Sequence, residues 1–260
     1  MKKLASLFLF LSLLVLVFPA NANGGGHWSS WARRPWNPRD ATPILLLDAN
    51  AGVTIATGVS AWADQSGQGN NVAQTTGSLQ PARTTSAVNN LPAVTFDGVD
   101  DMFTSITFVN SKSTGAGGTY YFVVKATSLS ASGTHDFLFV SAAADGINPG
   151  VQATNSNTSL IAGGGLNAGA TLSTSTYQVW TFQHNTGSNG IIRRNSTQLG
   201  SGSDGNNAVG GNGITIGSLS AGTRSIAASI AYLVAYNSVQ SPTDMGRVEK
   251  YLCNRFALGC

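Results

Sequence analysis

The chain is short of charge. Only 10% of its 260 residues are Asp, Glu, Lys or Arg, against roughly a quarter in an average soluble domain. The acids are ten aspartates and a single glutamate, Glu249, which excludes any mechanism that needs two glutamates. Lys2 and Lys3 stand in a segment read below as a removable leader, so the remainder is close to neutral. That balance argues against the basic face of a nucleic-acid binder. Cysteine is also scarce, Cys253 and Cys260 being the only two. With no further His or Cys nearby they do not make a metal centre. In an exported chain they are expected to pair as one disulfide that pins the C-terminus. Beyond the first twenty residues, no apolar run is long enough to cross a bilayer.

The first 22 residues, MKKLASLFLFLSLLVLVFPANA, have the three parts of a secretory signal peptide. Lys2 and Lys3 supply the positive start, Leu4 to Phe18 the apolar stretch, and Ala20-Asn21-Ala22 the small-residue cleavage site. An uncleaved anchor is the alternative, but the stretch is short for a span of ~20 residues. The expected location is therefore extracellular or on the cell surface, with the periplasm as the other exported compartment.

Residues 23–41 have linker composition with Trp28, Trp31 and Trp36 set among Arg33, Arg34 and Arg39. They read either as a tail packing its indoles on the domain edge or as a docking arm. The arm's partner would be a surface protein, a glycan or an anionic surface. From residue 42 to 260, short apolar runs alternate with turn signals, which favours one all-β domain built as a two-sheet antiparallel sandwich. Strand-like runs are expected at 44–49, at 59–71 (a strand ending in a polar, Gly-punctuated turn), at 92–109 (two runs around Asp97-Gly98), and at 118–128, 136–143, 176–185, 189–199, 213–219 and 225–238. Asp97-Gly98 reads as a hairpin signal. The Gly-rich stretches 163–169 and 200–213 read as long loops. One helix is expected after Ser241 as N-cap, with Pro242 at its first position and Asp244 three residues after the cap. Met245, Val248, Leu252 and Phe256 give it one apolar face, and it should end near residues 257–259.

The succession LLLDA, W-x-D-Q-S-G-x-G-N-N (62–71) and PAVTFDGVDD (92–101), closed by residues 230–258, resembles the LamG-like, concanavalin A-like lectin/glucanase superfamily. The resemblance implies an exported jelly roll with one C-terminal helix, commonly glycan-binding and sometimes calcium-dependent. It says less about function than about fold. Independently of it, Trp62 reads as a core residue, with a sugar-stacking platform as the alternative, and Asp64, Ser66 and Gly67 as a side-chain-stabilised turn.

Asp97, Asp100 and Asp101 form the densest carboxylate group. Asp before Gly is ordinary turn chemistry, and the same residues suit calcium, which takes several oxygen ligands. Asp100 and Asp101 are the metal candidates. Asp145 and Asn148 would complete a ligand-binding rim if the fold brings them close. No cofactor is required by any motif. The Glu-x-Asp-x-Glu motif of the superfamily's glucanases is absent, and no catalytic residue is assigned. Gln183 and His184 are adjacent, so on a strand they point to opposite faces. His184 and His135 therefore read as structural, and no G-x-S-x-G elbow occurs.

These features point to an exported, non-catalytic module that binds a polysaccharide or glycoconjugate, or adheres through one. The alternative is a structural or receptor-binding surface component, of a cell appendage or virus particle, that recognises protein. A polysaccharide hydrolase or lyase is the third reading, weakened by the missing carboxylate pair.

Overall fold

The computed structural model describes residues 35–109, 117–130, 136–141, 150–155, 157–161, 165–185, 189–203, 212–220 and 223–260. The leader, Trp28, Trp31, His135, Asp145 and Asn148 lie outside them.

Strand β1 (Leu45–Asp48) is followed by β2 (Val53–Ile55), β3 (Val59–Trp62) and β4 (Val72–Ala73). Then come β5 (Ala82–Val88), β6 (Leu91–Asp97), β7 (Phe103–Val109) and β8 (Gly118–Ala126). The middle of the chain supplies β9 (Asp136–Ser141), β10 (Gly150–Ala153), β11 (Thr158–Ile161) and β12 (Gly165–Asn167). The last strands are β13 (Gln178–His184), β14 (Gly190–Arg194), β15 (Thr197–Gly202), β16 (Asn212–Ile216) and β17 (Ala227–Tyr236). Helix α1 (Pro242–Phe256) ends the fold.

The strands form two antiparallel sheets. One runs β15-β14-β13-β8-β17-β6-β5, and the other β12-β11-β10-β9-β16-β7-β4-β3-β2. All ten residues of β17 are buried, as expected of a central strand covered on both faces. Its first half pairs with β6 and its second half with β1, with a register shift between Ile230 and Tyr232 on the β8 side. The all-β sandwich expected from the sequence is the fold observed.

Two apolar layers hold it. Between the sheets lie Trp62, Phe96, Phe103, Phe122, Phe139, Trp180 and Phe182, among others. On the outer face of the first sheet, Tyr121, Val123, Val179 and Val234 meet Met245, Val248, Leu252 and Phe256 of α1. Each fully buried side chain of this kind contributes roughly 1.5–3 kcal/mol. The helix starts as expected: Ser241 Oγ accepts from the Asp244 amide at 3.1 Å and donates to Asp244 Oδ2 at 2.7 Å. It ends at Ala257, whose φ of 53° reverses the chain. Cys253 and Cys260 are bonded, with Cα atoms 5.7 Å apart.

The stretch expected as a tail is part of the body from Trp36 onward. A short 3-10 turn, Pro38–Ala41, is capped by Asn37, and Tyr236 donates to the Pro38 carbonyl at 2.9 Å. Trp36 meets Tyr251 edge-on, ring centres 6.3 Å apart.

Asp64 organises the 62–71 motif. Its carboxylate accepts from the amides of Leu46, Ser66 and Asn70 and from Ser66 Oγ, at 2.6–3.0 Å. Asn70 donates back to the Ile44 carbonyl at 2.6 Å. The motif is a clamp that ties its loop to β1.

Three sequence expectations need correction. Asp97-Gly98 does not close a hairpin, because β6 and β7 belong to different sheets; the turn is a corner that carries the chain across the sandwich. The run at 189–199 is two strands, because Asn195 and Ser196 adopt φ of 47° and 66° and reverse it. The Gly-rich stretch at 163–169 contains β12, which pairs with β11 at the edge of the second sheet.

Candidate functional site

The aspartate corner is built around its own amides. Asp97 Oδ1 accepts from the Val99 amide at 2.7 Å and the Asp100 amide at 3.4 Å. Asp101 Oδ2 accepts from the Asp97 amide at 2.8 Å. Gly98 has φ of 83°, and a Cβ there would stand 2.7 Å from that of Ala227, so the corner passes close over the start of β17. Oxygens of all three carboxylates lie within 4.8 Å of one another. Burial pushes the Asp101 carboxyl up to about 6; the Asp97 amide opposes this, while the charges of Asp97 and Asp100 add to it. The three acids are thus brought together as the sequence suggested. Three carboxylates suit a cation's demand for oxygen, though one oxygen each of Asp97 and Asp101 is engaged by the turn itself. Asp145 and Asn148 lie outside the described residues.

Trp62, Gln183, His184 and Glu249 are all placed in the interior. Trp62 is fully buried, so it fills the core and offers no face to a sugar. His184 is fully buried in β13, and Gln183 donates to Thr119 Oγ1 and to the Gln240 carbonyl. Glu249 is 0% exposed. Its Oε1 accepts from Arg193 Nε and Thr181 Oγ1, both at 2.8 Å, and its Oε2 from Arg193 Nη2 at 2.9 Å. The single glutamate is a bolt between helix and sheet.

A different site lies on the outer face of the first sheet, beyond the end of α1. There the helix stops covering the sheet, and a cavity of about 560 Å³ remains. Its floor includes Lys125 of β8 and Tyr177, with the ammonium 5.4 Å from the ring centre. Burial pushes the Tyr177 phenol above its ordinary value, so it stays a donor at neutral pH. Lys125 stands in register with Ser229, and Ser229 with Thr95. The Thr84, Thr95 and Ser229 hydroxyls touch in sequence at 3.1 and 2.9 Å, carrying a polar row across this face.

Two Asn-led turns and the chain end form the walls. Asn89 and Asn90, with φ of 48° and 57°, turn β5 into β6, the conformation that two-residue hairpins favour. Asn89 also donates to the Arg255 carbonyl at 3.0 Å, fixing the turn to the helix end. Asn195 sits in the β14–β15 turn and accepts from the Val179 amide at 2.9 Å. The opposite bank is residues 256–259, inside the loop closed by Cys253–Cys260. No carboxylate side chain is among the described residues lining the cavity. Of these residues the sequence marks only Asn195, which opens the Asn-Ser-Thr glycosylation sequon at 195–197, and not as part of a binding site. The other signal is the adjacent pair of turn-forming asparagines at 89–90.

No protein-family model matches the chain, and no curated protein matches it in sequence. Solved structures do share its fold. The binding domain of Paraclostridial Mosquitocidal Protein 1 superposes with a TM-score of 0.63 at 11% identity, covering 83% of this chain and 53% of that one. The receptor binding domain of botulinum neurotoxin C/D mosaic serotype gives 0.59 at 14% identity, covering 82% and 52%. The botulinum neurotoxin type G receptor binding domain gives 0.57 at 12% identity, covering 82% and 51%. The chain therefore spans about half the length of these relatives in structure, and what it shares with them is the β-sandwich.

Proposed function

We propose that this protein is an exported, non-catalytic module that binds a polysaccharide or glycoconjugate in the cavity over the outer face of its first sheet. The observation that carries the reading is the cavity's chemistry. An aromatic ring, an ammonium, two side-chain amides and several hydroxyls converge there with no carboxylate among them. Sugars bind through ring faces and hydroxyls, whereas cutting a glycosidic bond takes a pair of carboxyl groups flanking it. This lining supplies the means to hold and not those to hydrolyse. Support of a coarser kind comes from the solved structures with this fold, which are described as binding or receptor-binding domains.

The test is a titration of the purified exported chain against a panel of oligosaccharides, in calcium and in chelator. Binding is expected, and Tyr177→Ala should weaken it at least tenfold without lowering the unfolding midpoint by more than a few degrees. Full affinity in Tyr177→Ala, absence of binding throughout the panel, or new reducing ends in the mixture would each overturn the reading. If affinity depends on calcium, Asp97, Asp100 and Asp101 are the residues that would hold the ion.

The receptor names of those solved structures also favour a second reading, in which the partner is a surface protein. Deleting residues 23–35 separates the two: cell attachment is lost if that arm docks on protein, and oligosaccharide affinity is untouched.

A further inference from the structure

A second and smaller cavity, of about 190 Å³, opens where the Pro38–Ala41 turn, β1, β17 and the last turns of α1 meet. It is lined by Asn37, Arg39, Asp48, Tyr232, Tyr251 and Arg255, together with Leu46. It shares no lining residue with the outer-face cavity.

The two guanidinium groups are in different states. Arg255 is engaged: Nη2 donates to Asp48 Oδ2 at 2.7 Å, and Nη1 to the Tyr251 hydroxyl at 3.1 Å. Its plane also lies over the rings of Tyr232 and Phe256, 5.5 and 5.4 Å from their centres. Arg39 is exposed, and its guanidinium makes one long hydrogen bond among the described residues, 3.3 Å to Gln65 Oε1. Its charge is available.

Tyr232 supplies the second observation. It is 2% exposed, yet no hydrogen bond to its hydroxyl is found among the described residues. Of the groups that act on it electrostatically, Tyr251, Asp48 and Arg255 line the same cavity, and only Tyr236 does not. Burial raises this phenol far above neutral pH, so it presents a proton to whatever enters. The hydroxyl oxygen itself is not one of the fully buried, unpartnered atoms, so the little surface this residue keeps opens on the cavity, where the hydroxyl is free to donate to an incoming acceptor.

We infer that this cavity binds one sugar unit bearing an anionic group, a carboxylate or a sulfate ester. Arg39 meets the anion with the planar fork that suits such groups. Tyr232 donates to a ring or hydroxyl oxygen, Tyr251 keeps a proton to donate, and Asp48 accepts from a sugar hydroxyl. The volume corresponds to roughly six waters at about 30 Å³ each, room for one ring and not for a chain.

Calorimetric titration of the purified exported chain with glucuronate, glucose 6-sulfate, glucose and inorganic sulfate tests this. One of the two acidic sugars should bind at least tenfold more tightly than glucose, and which one does so identifies the anion. Arg39→Met should abolish that advantage. Tyr232→Phe should weaken binding three- to tenfold with no loss of thermal stability, since its hydroxyl has no hydrogen bond among the described residues. Tyr177→Ala should leave this binding unchanged, which separates the site from the outer-face cavity. Equal affinity for glucose, sulfate binding as tightly as either acidic sugar, or indifference to both Arg39→Met and Tyr232→Phe would overturn the assignment.

Discussion

A single residue can report on the aspartate corner. Asp101 has a folded-state pKa of about 6 against an ordinary value of 3.8. Between those values the folded chain holds a proton that the unfolded chain releases. Its contribution to stability is therefore complete below the ordinary value and is lost as pH rises through about 6. Asp101→Asn removes the titration while keeping an oxygen for the Asp97 amide. Denaturant unfolding in chelator at pH 4 and pH 7 should show the parent losing stability relative to Asp101→Asn as pH rises. Parallel behaviour of the two proteins would show that Asp101 does not titrate as its burial implies. The same residue illustrates what a sequence can tell: three aspartates within five positions were legible as a cluster. Their task of turning the chain between sheets was not legible, because Asp-Gly serves a corner as well as a hairpin.

At the scale of the element, the bolt between α1 and the first sheet is the point most exposed to mutation. Glu249 is fully buried, and the Arg193 side chain that reaches it is 17% exposed. Removing one partner of such a pair costs about 3–5 kcal/mol, because a buried charge is left behind. Arg193→Met should therefore lower the denaturant midpoint sharply, and Arg193→Met combined with Glu249→Leu should recover much of the loss. If the double variant is as unstable as the single one, the pair does more than neutralise itself. The helix was legible because its cap, proline and apolar spacing agree with one another. So was β17, an apolar run interrupted by Ser229 alone. Strand β5 was missed for the opposite reason: Ala82–Ser86 is exposed throughout and forms an edge of its sheet. Such a strand carries no alternation to read, only the partner that β6 provides.

Across the whole molecule, the candidate cavities escaped sequence reading because each is assembled from distant parts. The larger one joins a turn at residue 89, strand residue Lys125, a turn at residue 195 and the chain end at 256–259. Only the sheet order, with β13, β8, β17, β6 and β5 side by side, brings them together. The terminal ring is part of that assembly. Closing a ring of this size stabilises by about 2.5 kcal/mol on the chain-entropy model, or roughly 5–10 °C in a domain of this length. Replacing Cys260 with serine should lower the melting temperature by that amount and leave the circular dichroism spectrum unchanged. A larger collapse would mean that the ring supports the sandwich itself.

The ring that fastens the terminus is also the fence along one side of the outer-face cavity. Opening it with a thiol reductant would free residues 257–260 to swing away while every strand stays in place, so ligand would leak out of an otherwise intact protein. If the proposed ligand sits there, grip and redox state become one variable: the hold would be acquired only after meeting an oxidising environment, and surrendered on return to a reducing one.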